Sequence, residues 1–194
     1  MKRSFFALIS RMRYIGRWGL MRNSLPENIQ EHSHMVAVLA HSLALIGNEV
    51  FGRDCDANLC STVALYHDAS EIITGDLPTP IKYHNEKIKN SYKEIETKAN
   101  ESLLELLPET LQAAYRPLLL ECDEQVCAYV KAADKLSAYI KCIEERKAGN
   151  NEFLSAEQQI LGALKANPMP ELQYFLENFA PAFELTLDEL GMMK

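Results

Sequence analysis

Residues 28–48, NIQEHSHMVAVLAHSLALIGN, decide the fold class. Asn28, followed three residues later by Glu31, reads as a capping box and predicts a helix running to about Asn48. Projected at about 100° per residue, His32, Val36, Leu39, Leu43 and Ile46 fall on one stripe, a core face. His34 and His41 project to the opposite side and read as surface residues, as does His84. The apolar centre, Met35–Gly47, is interrupted by His41 and Ser42 and falls short of the roughly 20 residues of a membrane span.

Helical periodicity recurs along the chain, and no alternating run is long enough for a strand. A first helix is expected over Ser4–Tyr14, then a loop with Gly16, Gly19 and Pro26. Asp56 caps a helix expected to continue to Ile73 and stop at Gly75. Leu77-Pro78-Thr79-Pro80 reads as a stiff extended loop, because proline does not fit a helix interior. A charged helix follows from about Asn85 to Leu107, breaking at Pro108. After a short helical piece, another long helix covers about Asp123 to Lys147 and closes at Gly149-Asn150-Asn151. The tail holds two or three short helices separated by Asn167-Pro168-Met169-Pro170 and by Pro181. With no internal repeat and no linker, residues 1–194 are expected to form an all-α, compact single-domain helical bundle.

Composition narrows the function classes. The 194 residues are 47% hydrophobic and 24% charged, the balance of a soluble globule. A chain this long buries a core without disulfides or a structural metal. The net charge is −7, unevenly spread: Lys2, Arg3, Arg11, Arg13, Arg17 and Arg22 face no acid in residues 1–26. That start reads as a first helix whose arginines meet solvent or a phosphate-bearing ligand. The acidic remainder argues against a nucleic-acid polymer as partner, since such binding depends on positive surface. Phe5–Ile9 is too short for a secretory core. Five cysteines without a C-x-x-C pair argue against a thiolate zinc site, and reduced, buried thiols of a cytoplasmic protein are expected.

The chemistry gathers around Tyr66-His67-Asp68-Ala69-Ser70-Glu71. On a helix, His67 and Glu71 share the face of Cys60, Val63 and Ala64, while Asp68 points about 100° away. Leu59, Val63, Leu65 and Ile72 make this helix apolar on several sides, hence buried. A buried carboxylate beside a histidine needs something to neutralise it. Asp134, between Val130 and Ala138, sits at the edge of another apolar face, where a salt bridge to Lys131 or Lys135 is the plain alternative. A core-facing His32 is, taken alone, a hydrogen-bonded structural histidine. Together His32, His67, Asp68 and Asp134 supply two imidazoles and two carboxylates, a donor set for a catalytic Mn²⁺, Co²⁺, Fe²⁺ or Zn²⁺.

The H…HD…D order resembles the HD-domain superfamily of metal-dependent phosphohydrolases. More specific segments resemble the bacterial HD-domain 5′-deoxynucleotidase family. These are Arg17-Trp18, Leu20-Met21-Arg22-Asn23, Glu27-Asn28, Glu31-His32-Ser33, Tyr66 to Glu71 and Thr74 to Pro80. Lys131-Ala132-Ala133-Asp134, Ala138-Tyr139 and Gly149 to Phe153 continue the match. The resemblance implies a cytoplasmic homodimer that converts deoxyribonucleoside 5′-monophosphates to nucleoside and phosphate. It implies one divalent ion on His32, His67, Asp68 and Asp134, of which His32 and Asp134 also border the substrate. It implies roles at the substrate for Arg17, Trp18, Glu71, Asp76, Leu77, Pro78 and Thr79.

The residue chemistry is compatible with those roles. Arg17 offers a planar fork for phosphate oxygens, although a loop arginine is often merely solvated. Glu71 is placed either to relay a proton or to orient a ligand. Asp76, just past Gly75, either contacts the sugar or is a turn residue. Two other readings stand beside this one: an HD-type hydrolase of nucleoside triphosphates or cyclic nucleotides, and a non-catalytic helical module. A mononuclear centre is favoured over a dinuclear one, because only His84 remains after His67.

Overall fold

A computed structural model describes residues 3–82 and 84–191. Helix α1 (Phe5–Ile9) runs on as a 3₁₀ turn over Ser10–Tyr14. Helices α2 (Ile29–Phe51) and α3 (Ala57–Tyr66) follow, then two single turns, α4 (Glu71–Thr74) and α5 (Thr79–Lys82). The second half contains α6 (Glu86–Glu105), α7 (Glu109–Leu119), α8 (Glu124–Lys147), α9 (Leu154–Lys165) and α10 (Pro170–Asn178). Among the described residues there is no strand, only an isolated bridge between Gly16 and Asn28. The all-α expectation holds.

The helix starts form where local chemistry satisfies free N–H groups. Asn28 Oδ1 accepts from the amides of Gln30 and Glu31, and Glu31 returns a bond to the Asn28 amide. Asp56, Asn85 and Asp123 cap α3, α6 and α8 in the same manner. Helix α2 passes the expected end at Asn48 and stops at Gly52, whose φ of 64° is a left-handed cap. Its 23 residues are long and apolar enough to cross a membrane by length and hydropathy alone. Here α2 is the central helix of the bundle, packed against α3, α8 and α10.

Val36, Leu39, Leu43 and Ile46 are buried as their spacing predicts, joined by Cys60, Val63, Ala133, Leu136, Leu172 and Phe175. A second apolar cluster holds Phe5, Leu103, Leu104, Leu107 and Leu119 together with Ala69, the residue after Asp68. This cluster buries Ala69 within the segment that carries the chemistry.

Three expectations are corrected. The Leu77–Pro80 stretch is not extended throughout: α5 begins at Thr79, with Pro80 in its first turn, where no intrahelical N–H bond is lost. Leu65 on α3 is exposed, so that helix is buried on fewer sides than its composition indicates. Cys122 and Cys127 are bridged by a disulfide, while Cys55, Cys60 and Cys142 are free and buried. Helical spacing does not separate the bridged pair, because Cys122 precedes the α8 cap at Asp123.

Candidate metal centre and substrate cleft

Helix α3 ends at Tyr66 instead of continuing to Ile73. Residues 67–70 form a tight turn, with amide bonds from Ala69 to Tyr66 O (3.0 Å), Glu71 to Asp68 O (3.0 Å) and Ile72 to Ala69 O (3.2 Å). Such i→i+3 segments within a helical path often mark functional positions. At this turn His67 Nε2 and Asp68 Oδ2 meet at 3.2 Å. Ala69 and Ser70 are buried beneath them.

Helix α2 brings His32 to the same point. His32 Nε2 lies 3.6 Å from Asp68 Oδ2 and 3.0 Å from Asp134 Oδ1 on α8. One ligand atom each from His32, His67 and Asp68 lie within 4.8 Å of one another. The far ring nitrogens are engaged: His32 Nδ1 with Ser137 Oγ at 3.2 Å, His67 Nδ1 with Ala64 O at 2.7 Å. A carbonyl can only accept, so His67 Nδ1 carries the proton and Nε2 is directed at the cluster. Both Nε2 atoms are buried without a hydrogen-bond partner; Asp134 is near His32 but not aligned as one. Two orphaned imidazole nitrogens facing two carboxylates fit a divalent cation.

The charges are strongly coupled. Burial works against an ionised His67, but Asp68 and Asp134 outweigh it and raise the imidazole to about 9. Burial likewise opposes the Asp68 charge, yet His67, His32 and Arg17 hold the carboxyl well below the usual range. Burial opposes the Asp134 charge as well, yet the adjacent His32 and His67 imidazoles lower its carboxyl. Burial pushes His32 down, which favours the neutral ring a metal requires.

Arg17 reaches the cluster from the loop before α2. Its amide donates to Glu27 O at 2.9 Å, part of the small bridge that joins Gly16 to Asn28. Its Nη1 lies 3.7 Å from Asp68, and its Nε, buried without a hydrogen bond, is 3.1 Å from Glu27 Oε2. Trp18 stands beside it at φ 59°, a left-handed conformation costing a bulky residue roughly 1–2 kcal/mol. Its ring packs on Phe153, centroids 5.3 Å apart.

Burial raises the Asp76 carboxyl against the pull of Arg17 and of the Trp18 backbone. Glu71 is buried, with Oε2 unpartnered. Burial, then the Asp68 and Asp76 charges, push it up to about 9. Leu77 and Pro78 are half-buried and Thr79 is exposed. Among the described residues no hydrogen bond or ion pair joins these three to the cluster. Thus the structure brings together His32, His67, Asp68, Asp134 and Arg17, with Trp18, Glu71 and Asp76 around them; Leu77–Thr79 follow Asp76 in the chain without joining the cluster. A cleft of about 350 Å³ opens onto His67 and Asp134, with Lys93 and Lys131 at its rim. That volume lies within the range of small-molecule sites.

Sequence reasoning missed the supports of the Arg17 loop. Glu27 entered only through the family-like Glu27-Asn28 segment, with no role, and Gly149-Asn150-Asn151 read as a helix stop. Glu145 accepts from the amides of Ser24 (2.8 Å) and Leu25 (3.0 Å), from Asn150 Nδ2 (2.8 Å) and from Lys141 Nζ (2.5 Å). Lys141 also donates to Leu25 O, and Asn150 to Arg22 O. The i,i+4 spacing of Lys141 and Glu145 was a usable signal, but such pairs normally lie in solvent, whereas this one is buried.

Those bonds hold the Glu145 carboxyl at about 2 despite its burial. A folded-state value below the unfolded one stabilises the fold above about pH 4.5, and that stability is lost as pH falls towards 2. Glu145→Gln is expected to cost about 3–5 kcal/mol at pH 7, because it leaves a buried ammonium unpaired. Urea midpoints from pH 7 to pH 3 should show the gap to the parent protein narrowing below about pH 4.5. A gap constant with pH would mean the ion pair contributes nothing.

Comparison with known proteins places the chain. The model of the family described as 5′-deoxynucleotidase YfbR-like matches residues 4–183. A 5′-deoxynucleotidase of Yersinia pseudotuberculosis serotype I (strain IP32953) is 50% identical over 190 residues, covering 97% of this chain and 96% of the relative. Among solved structures, an HD-domain phosphohydrolase from Listeria innocua superposes with a TM-score of 0.80 at 25% identity, covering 93% of this chain and 88% of its own. A cyanophage S-2L HD phosphohydrolase, described as bound to dA and one catalytic Zn²⁺ ion, shares the fold with a TM-score of 0.61 at 21% identity, over 88% of this chain and 93% of that one. A helical bundle that converges two histidines on an HD turn, matched over nearly its whole length at this identity, belongs to the YfbR-like 5′-deoxynucleotidase family.

Proposed function

We propose that this protein is a metal-dependent phosphomonoesterase that hydrolyses deoxyribonucleoside 5′-monophosphates to deoxyribonucleoside and phosphate. The observation that carries this reading is the buried His32, His67 and Asp68 cluster with the Arg17 guanidinium at its edge. His32, His67, Asp68 and Asp134 would hold one divalent ion of the Mn²⁺, Co²⁺, Fe²⁺ or Zn²⁺ class. Bound there, such an ion lowers the pKa of water towards neutrality and polarises the phosphoryl group.

The chain's own residues supply the rest. Arg17 binds phosphate oxygens through its planar fork and offsets charge that grows as the P–O bond breaks. Glu71 holds a proton at neutral pH and delivers it to the leaving 5′-oxygen. Asp76 adjoins the Trp18 backbone, and Trp18 faces the sugar edge together with the Leu77, Pro78 and Thr79 wall.

The test is a phosphate-release screen over ribo- and deoxyribonucleoside 5′-monophosphates, triphosphates and cyclic nucleotides with Mn²⁺, Co²⁺, Fe²⁺ and Zn²⁺. Deoxyribonucleoside monophosphates are expected to be preferred, with activity abolished by chelator. Release from triphosphates or cyclic nucleotides alone would sink the assignment.

The same reading carries a single domain, a homodimeric working form and a cytoplasmic location. Val38 and Leu45, exposed one heptad apart on α2, support self-association. Three buried free thiols support a reducing compartment, against which the Cys122–Cys127 bridge weighs. Sedimentation of the purified chain tests the dimer directly.

A further inference from the structure

Trp18 is the chain's single tryptophan and, among the described residues, its single non-glycine residue at positive φ. Such a conformation persists where surrounding bonds over-determine it. Here the Trp18 carbonyl accepts from the Met21 amide (2.8 Å) and Asn23 Nδ2 (3.4 Å). The indole Nε1 donates to Glu27 Oε2 at 3.0 Å. That same oxygen is the one 3.1 Å from Arg17 Nε. We propose that Glu27 is a positioning residue that locks Arg17 and Trp18 into one unit through a single carboxylate oxygen, so that phosphate clamp and sugar wall are set together.

The arrangement separates backbone from side chain. The Glu27 carbonyl keeps the loop in register through the Arg17 amide, and that bond is independent of the carboxylate. The carboxylate adds two things. Its charge balances Asp68 on the other side of the guanidinium, so Arg17 is not drawn wholly onto a metal-ligand position. Its oxygen fixes the indole ring, which also packs on Phe153.

The two contacts have different chemistry, so two substitutions divide them. Glu27→Gln retains an acceptor oxygen for the indole but removes the charge that holds Arg17. Glu27→Ala removes both. The kinetic part rests on the deoxynucleotidase reading; the emission of the lone Trp18 does not. In the full-length protein, Glu27→Ala is expected to shift Trp18 emission and raise its acrylamide quenching, while Glu27→Gln stays close to the parent. With deoxyribonucleoside monophosphates, both variants should lose about 10–100-fold in kcat/KM, the usual range for a residue supporting a site.

The ribonucleotide-to-deoxyribonucleotide activity ratio should rise in Glu27→Ala to the level of Trp18→Ala, and no further in the double variant. Glu27→Gln should retain the parental ratio. Parental emission and ratio in Glu27→Ala, or an additive rise in the double variant, would overturn the proposal. If Glu27→Ala does not fold, Glu27→Gln decides: unchanged kcat/KM there also overturns it. If no nucleotide is hydrolysed at all, unaltered emission in Glu27→Ala overturns the Glu27–Trp18 lock and shifted emission supports it.

Discussion

Asp68→Ala is expected to yield a folded helical protein that neither retains a divalent ion nor releases phosphate. Asp68 Oδ2 is the point on which His32, His67 and Arg17 converge, at 3.6, 3.2 and 3.7 Å respectively. Its loss takes away the anionic donor and a principal charge that lifts His67. Removing the metal forfeits the activated water, so a fall of at least about 10³-fold in kcat/KM, roughly 4 kcal/mol of transition-state stabilisation, is expected. Ala69 and Ser70 keep the turn buried from below, and far-ultraviolet circular dichroism should change little. Metal analysis of protein purified without chelator is the deciding measurement, with Asp68→Asn as a milder second variant. Full metal occupancy in Asp68→Ala would remove Asp68 from the centre.

Arg17→Ala is expected to lower kcat/KM by about 10²–10³-fold, the cost of deleting one well-placed charged donor at a developing negative charge. The melting temperature should move by only a few degrees, because a partly exposed ion pair contributes about 0–1 kcal/mol. The loop itself is held by the Arg17 amide on Glu27 O and by the Glu145 bonds to Ser24 and Leu25. Lysine should rescue poorly, since a point charge cannot reproduce the bidentate fork. Steady-state phosphate release for alanine and lysine variants, with metal content checked, measures this. A fully active Arg17→Lys would mean that charge neutralisation suffices.

Residue types at the candidate site were legible in the sequence, but one piece of its geometry was not. A straight helix through His67 and Asp68 makes them awkward as joint ligands, and periodicity gave no sign that α3 ends at Tyr66. Alanine, serine and glutamate in positions 69–71 are all acceptable in a helix, so propensity does not break it there. At the break Ala69 is buried in one cluster with Phe5, Leu103 and Leu119, residues remote in sequence that meet it only in the packed fold. The 79–82 turn was hidden for the opposite reason: proline read as a helix breaker is also a good first-turn residue.

By itself the sequence determined the all-α class, the capped starts at Asn28, Asp56, Asn85 and Asp123, the core stripe of α2, and the candidate donors proposed at positions 32, 67, 68 and 134. Caps and periodicity act within a few residues, so they are legible in one dimension. Only the tertiary structure decided that His32 Nδ1 would be held by Ser137, that Glu27 would serve both Arg17 and Trp18, and that Lys141 and Glu145 would be buried under the Arg17 loop. Each of those contacts joins segments that meet only after helices pack. The free energy of a buried charge or an orphaned imidazole depends on what the other segments bring to it.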